Sequence, residues 1–206
     1  SVSAEIFKHR EYRIAEESIK NSDIILDVGA HKGFFAAYCT ALNSKAEIFC
    51  IEPEKNNLIA LKNNKKDNKL KNVTIIEAAL SDKTGQADLV VTADSHNHYL
   101  DIIAEEGDSM QKTTTFNFSD LLKEYKIKSV SLLKMDIEGG EYAVFNGLNT
   151  EDFSKIKNIV MEYHNFPDRN YKKIEQQLRE NGFGVQVFPS KFDKTMGFIF
   201  ANNKRI

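Results

Sequence analysis

The sequence predicts an α/β fold: a three-layer, doubly wound, mostly parallel sheet closed by an antiparallel strand at its C-terminal end. Three observations predict it. Short apolar runs alternate with helical patterns through most of the 206 residues, the rhythm of βα units joined by right-handed crossovers. The first run, Ile24-Ile25-Leu26, ends in Asp27-Val28-Gly29-Ala30-His31-Lys32-Gly33, and a helical pattern follows at Phe34-Phe35-Ala36-Ala37. That is a strand, a tight glycine turn and a helix, the junction at which such sheets hold a nucleotide-like cofactor. The last two apolar runs have only a polar turn between them, so they close the chain as an antiparallel hairpin.

The elements follow in order. Residues 1–20 place Ile6, Phe7, Tyr12, Ile14, Ala15 and Ile19 on one side of a leading helix. Strand 23–27 precedes a helix at 33–43, and strand 46–51 a helix at 54–66. A third strand and its exit occupy 73–80, and a short strand 87–92 follows the Thr84-Gly85 turn. Residues 93–112 are polar, carry His96 and His98, and read as a substrate loop or lid. Strand 113–118 leads to helix 120–126, with Ser119-Asp120 as its cap. Strand 130–136, a short helix 140–147, strand 156–163 and an amphipathic helix 170–180 stopped by Asn181-Gly182 come next. Strands 183–188 and 196–201 end the chain. No repeat or linker interrupts it, so 1–206 reads as one domain.

Composition is that of an ordinary soluble globule: 41% hydrophobic, 28% charged, net charge −2. That balance gives no push toward nucleic acid or anionic membrane. No run approaches the ~20 apolar residues of a membrane span, and no signal peptide is visible. Cys39 and Cys50 sit in apolar elements and read as buried thiols, which fits a cytoplasmic setting. No spacing of Cys and His indicates zinc.

The acid before Gly29 favours one cofactor. A dinucleotide site needs G-x-G-x-x-G so that a pyrophosphate can rest on backbone N–H groups, and that spacing is absent. An anionic strand end repels pyrophosphate but suits a cation. S-adenosylmethionine carries a sulfonium and an ammonium and no phosphate. The second strand ends in Glu52-Pro53, an acid placed to accept from both ribose hydroxyls. Two further strand ends are charged. A period of two puts Lys134 and Asp136 on one face, with Glu138 near the mouth, and Glu162 and His164 share a face on the next strand. Buried without partners such groups cost several kcal/mol each, about 3–5 for half of a broken pair. They must pair, meet a ligand or hold a metal, and a Lys134–Asp136 or Lys134–Glu162 ion pair is the plain structural expectation.

Taken together, Asp27-x-Gly29-x-x-x-Gly33, Glu52-Pro53, Ala79-Leu80-Ser81-Asp82 with Gly85, and Lys134-Met135-Asp136-Ile137-Glu138-Gly139-Gly140-Glu141 resemble the FkbM-type S-adenosylmethionine-dependent methyltransferases, from about residue 22 to 165. The resemblance implies the class I methyltransferase sheet, Rossmann-like, with seven strands and the last antiparallel. It also implies O-methylation of a hydroxyl on a small molecule or sugar. His31 stands where that family shows asparagine, and a titrating group there would make binding pH-dependent.

Carried over by position, Asp27, Gly29, Ala30, His31 and Gly33 would hold the methionine moiety. Glu52 would bind ribose, and Glu77, Ala78 and Ala79 would border adenine. Asp136 would lie near the methionine end and the acceptor. An alcohol needs a base within hydrogen-bond reach. His164 is the first choice, then Glu138 and Glu162. A magnesium ion bridging Asp136 and neighbouring carboxylates is the alternative means of activation. On this reading Asp27→Ala abolishes cofactor binding and leaves the chain folded.

Three rivals remain. A nucleic-acid methyltransferase would use the basic run Lys62, Lys65, Lys66, Lys69 and Lys71, but the run lacks interleaved aromatics. The prolines, at 53, 167 and 189, also leave no Asn/Asp-Pro-Pro-aromatic turn after the fourth strand. An NAD-dependent dehydrogenase lacks its glycine fingerprint. A non-catalytic S-adenosylmethionine-binding protein would retain the acids at three strand ends without turnover.

Overall fold

The computed structural model describes residues 11–91, 98–100 and 109–206, of which 11 and 98–100 are described by their backbone. The central sheet contains β1 (Ile24–Val28), β2 (Glu47–Ile51), β3 (Val73–Ile76), β8 (Val130–Met135), β9 (Ile156–His164), β10 (Phe183–Pro189) and β11 (Met196–Asn203). Its order is β10-β11-β9-β8-β1-β2-β3. The five strands from β3 to β9 pair in parallel, β11 runs antiparallel to β9, and β10 runs antiparallel to β11. This is the seven-stranded class I methyltransferase arrangement that the sequence predicts.

Strand alternation divides the core into two layers. Leu26, Val28, Leu133 and Met135 face one side. Ile25, Cys50 and Leu132 face the other. Asp27 and Lys134 fall on the second side by the same period and are paired directly across β1 and β8. A fully buried ion pair therefore sits in an otherwise apolar layer. Helices α2 (Phe34–Leu42) and α3 (Lys55–Asp67) follow β1 and β2 as crossovers. Both cysteines are buried and unbridged. Among the described residues no helix is long and apolar enough to cross a membrane.

Several expectations are corrected. The leading helix over 1–20 is, in its described part, a 3-10 turn at Glu11–Ala15 followed by α1 at Glu16–Lys20; residues 1–10 lie outside the described residues. The run 73–80 is not one strand. It breaks at Glu77, where the Ala78 N–H donates to the Ile76 carbonyl over 3.0 Å. Its second half, β4 (Ala79–Leu80), belongs to another sheet with β5 (Gly85–Val91), β6 (His98–Leu100) and β7 (Ser109–Phe116), in the order β4-β7-β5-β6.

Within the supposed loop 93–112, residues 98–100 form β6 and residues 109–112 open β7. Its other residues, His96 among them, lie outside the described residues. Helix α4 (Phe118–Glu124) is capped by Asn117, whose side chain accepts from the Asp120 N–H at 2.8 Å, and not by Ser119 or Asp120. After α5 (Glu141–Gly147), a five-residue helix, α6 (Thr150–Ser154), is closed at its start by a capping box on Asn149. It is too short for its periodicity to show in sequence. The last helix is α7 (Tyr171–Glu180).

Candidate active site

A cavity of about 780 Å³ opens at the carboxyl ends of β1, β2 and β8, within the range of small-molecule sites. The β1–α2 turn forms its floor. Gly29 takes φ 74° and Gly33 φ 82°, the left-handed region glycine enters without strain. The N–H groups of Gly29 and Ala30 both donate to the Ile51 carbonyl, at 3.0 and 3.1 Å. A Cβ on Gly29 would collide with the backbone carbonyl oxygen of Asp136. Gly29→Ala is therefore expected to lose about 1–2 kcal/mol from the left-handed backbone alone. The collision adds to that and weakens cofactor binding, which denaturation and ligand titration of the variant would check.

Glu52, at the end of β2, locks this turn. One carboxylate oxygen accepts from the His31 N–H at 2.7 Å and the other from the Glu54 N–H at 2.9 Å. The Asn57 amide adds a contact at 3.4 Å. Burial raises the Glu52 pKa, and these donors oppose the rise.

Lys134 lies beneath the turn. Its ammonium is 3.2 Å from an Asp27 oxygen and donates to the Gly29 carbonyl at 2.8 Å. Burial alone would lower its pKa, but Asp27, Asp136 and Glu52 outweigh burial and hold it above the usual lysine value. Burial also lifts the Asp27 carboxyl, against the pull of Lys134. Each group favours the charged form of the other, which opposes the burial of both. Lys134 thus pairs with Asp27, and not with Asp136 or Glu162.

Acidic groups gather at the ends of β8 and β9. Asp136 is tied to β1 through its N–H, which donates to the Val28 carbonyl at 3.2 Å. Glu138 takes φ 53° in the following turn. Glu141, fully buried, accepts from the Ile137 N–H at 3.2 Å and stands 3.3 Å from His164 Nδ1. His164 Nε2 is 3.3 Å from a Glu138 oxygen and 3.9 Å from a Glu162 oxygen. Burial would lower the His164 pKa, but Glu141, Glu138 and Asp136 raise it to about 9. Asp136, Glu138 and His164 each offer one ligand atom, all within 4.8 Å of one another.

Of the expected site residues, Gly29, Ala30, His31, Glu52, Ala79, Lys134, Asp136, Glu138 and Glu162 line the cavity. Five other expected site residues do not. Asp27 is fully buried below the floor, and Gly33 caps α2 behind the turn. Ala78 is buried in the core. Glu77 turns outward to pair with Lys62 at 2.6 Å. His164 stands behind the wall, against Glu138 and Glu162.

Sequence reasoning missed Glu141, although it ends the charged run. It also missed the tip of the β10–β11 hairpin, where Phe188, Phe192 and Phe198 reach the cavity. Three aromatics split between two strands and a turn leave no periodic signal.

Comparisons with known proteins agree with this fold. The family model described as Methyltransferase FkbM domain matches residues 27–185. The 31-O-demethyl-FK506 methyltransferase FkbM of Streptomyces tacrolimicus is 23% identical over 88% of this chain and 80% of its own length. The crystal structure of methyltransferase FkbM from Methylobacillus flagellatus KT superposes with a TM-score of 0.59 at 16% identity, covering 88% of this chain. This chain spans only 44% of that protein. The protein SMU.1697c of Streptococcus mutans, solved with S-adenosylhomocysteine, gives a TM-score of 0.59 at 8% identity over 94% of this chain and 97% of its own. The chain belongs to the FkbM family of S-adenosylmethionine-dependent methyltransferases.

Proposed function

We propose that the protein transfers the methyl group of S-adenosylmethionine to a hydroxyl of a small molecule or sugar. One observation carries the reading. A single cavity joins a glycine turn locked by Glu52, suited to a ribose and methionine, to the carboxylates Asp136, Glu138 and Glu162. Its volume accommodates donor and acceptor together. The S. tacrolimicus relative, named for a 31-O-demethyl substrate, supports an oxygen acceptor.

In this reading Glu52 takes the ribose, the turn from Gly29 to His31 takes the methionine end, and Ala79 borders the adenine. Asp136 lies between donor and acceptor. The acceptor oxygen gives its proton to a wall carboxylate, Glu138 or Glu162, and attacks the methyl carbon in line with sulfur. The carbon–sulfur bond breaks with its electron pair on sulfur, and the sulfonium becomes a neutral thioether. His164 is less suited to be the free base: with a pKa of about 9 it already holds a proton at neutral pH. A cation at Asp136 and its neighbours is the other way to activate the hydroxyl.

The test is a thermal shift with S-adenosylmethionine, S-adenosylhomocysteine and NAD, followed by transfer of labelled methyl to hydroxylated acceptors. At ~100 times the dissociation constant a ligand adds about 2.7 kcal/mol, a midpoint rise of roughly 5–10 °C. A rise with the first two and none with NAD is expected. A rise with NAD alone overturns the reading.

A further inference from the structure

We infer that Asp136, Glu138 and His164 form a divalent-cation site at the acceptor end of the cavity, able to take an ion of the Mn²⁺ or Mg²⁺ class. The binding rests on the geometry of these side chains; its role in catalysis rests on the hydroxyl-acceptor reading above.

The first argument is separation. Two atoms bound to one ion at about 2.2 Å and at right angles stand about 3.1 Å apart, and opposed ones about 4.4 Å. The Nε2–Glu138 distance is 3.3 Å, and all three ligand atoms lie within 4.8 Å of one another. The group therefore needs little rearrangement to close on an ion. It comes from three backbone positions, the end of β8, the turn after it and the end of β9. One side of it faces the cavity, through Asp136 and Glu138.

The second argument concerns the far side of the imidazole. Glu141 is fully buried, takes His164 Nδ1 at 3.3 Å, and is held by the Ile137 N–H. Its second oxygen is buried with no hydrogen-bond partner among the described residues. A carboxylate there keeps the proton on Nδ1, as it does behind metal-bound histidines generally. The Nε2 lone pair then points at the Glu138 and Glu162 oxygens. A lone pair facing carboxylate oxygens at these distances is repulsive unless a cation lies between them. Two cations can fill that place, a proton or a metal ion. Two carboxylates and one imidazole accept Mn²⁺ readily, and Mg²⁺ through the oxygens, and lack the thiolates that favour softer metals. Once bound, such an ion lowers the pKa of an acceptor hydroxyl that reaches it.

The test is titration of the metal-free full chain with Mn²⁺, followed by calorimetry and by the pulsed-EPR coupling of ¹⁴N to the bound ion. S-adenosylmethionine affinity is measured beside it. One saturable site with a directly bound imidazole nitrogen is expected. Glu138→Gln, at a partly exposed position, should weaken it while keeping the fold. Glu141→Gln, which touches no ion, should weaken Mn²⁺ by about 10–100-fold by loosening His164. Saturation absent up to about 1 mM Mn²⁺, or binding without nitrogen coupling and indifferent to Glu138→Gln, overturns the site and leaves a proton as the bridge. Cofactor binding without Mn²⁺ binding overturns this inference alone. Mn²⁺ binding without cofactor binding overturns the proposed function alone.

Discussion

Asp27→Ala is expected to destabilise the fold by about 3–5 kcal/mol, because it strands a charged lysine in a buried layer. The sequence reading predicts the opposite division, with cofactor binding lost and the fold kept, since an acid at the end of a strand reads as a ligand contact. The register explains the difference. Asp27 stands directly opposite Lys134 across β1 and β8, with no exposure, while Lys134 itself reaches the cavity floor and the Gly29 carbonyl. The carboxylate is the counter-charge that lets a lysine support the glycine turn from below.

Removing it leaves the ammonium bonded to the backbone carbonyls of Gly29 and Val28, with no carboxylate in contact and only the charges of Asp136 and Glu52 farther off. Cofactor affinity falls as a consequence of the loosened turn, not of a lost contact. Adding Lys134→Met to Asp27→Ala should therefore recover stability, since the uncompensated charge goes with it. It should not recover cofactor binding. Urea denaturation of both single variants and the double variant checks this. Additive losses in the double variant would mean that the two groups do not depend on each other.

The layers of the sheet are legible because β1, β2, β8 and β9 each carry an apolar run with a helix after it. The place of Gly29 and Glu52 on the cavity wall is legible for the same reason: they sit where β1 and β2 end, and a strand end is visible in sequence. Facing is harder to read than position. Asp27 and Glu77 were placed at the correct ends of their strands. Asp27, inside β1, points into a buried layer, and Glu77, one residue past β3, points out to Lys62, because successive positions face opposite sides. The second sheet was hidden for a related reason. The run from Val73 to Leu80 is interrupted only by Thr74 and Glu77 and carries no glycine or proline, so the boundary at Glu77, where the chain leaves one sheet and enters another, does not show. Glu141 was hidden because its importance lies in a contact with His164, 23 positions away, which no local pattern encodes.

Glu52→Gln is expected to raise the dissociation constant of S-adenosylmethionine by about 10²–10³-fold, while costing the fold much less than Asp27→Ala. Each Glu52 oxygen holds one backbone N–H, His31 on the β1 turn and Glu54 after β2. A glutamine keeps one carbonyl oxygen but turns an NH₂ donor toward the other N–H, so one contact is lost and two donors oppose each other. A hydrogen bond to a charged group contributes about 1.5–3 kcal/mol. Losing one such bond and weakening the grip on a ribose hydroxyl comes to about 3–4 kcal/mol, which is the stated change in affinity. Unlike Asp27, this carboxylate borders the cavity, so the bound cofactor feels most of the loss. Acidification should mimic the variant. Burial raises the Glu52 pKa above that of an ordinary glutamate, and only the carboxylate accepts from both N–H groups. Cofactor affinity in the wild type should therefore fall as pH drops through that raised value, while Glu52→Gln shows little of this dependence. Calorimetric titration across mildly acidic to neutral pH checks both parts. An affinity within threefold of wild type would remove Glu52 from the cofactor site, and parallel pH profiles would assign the titration to another group.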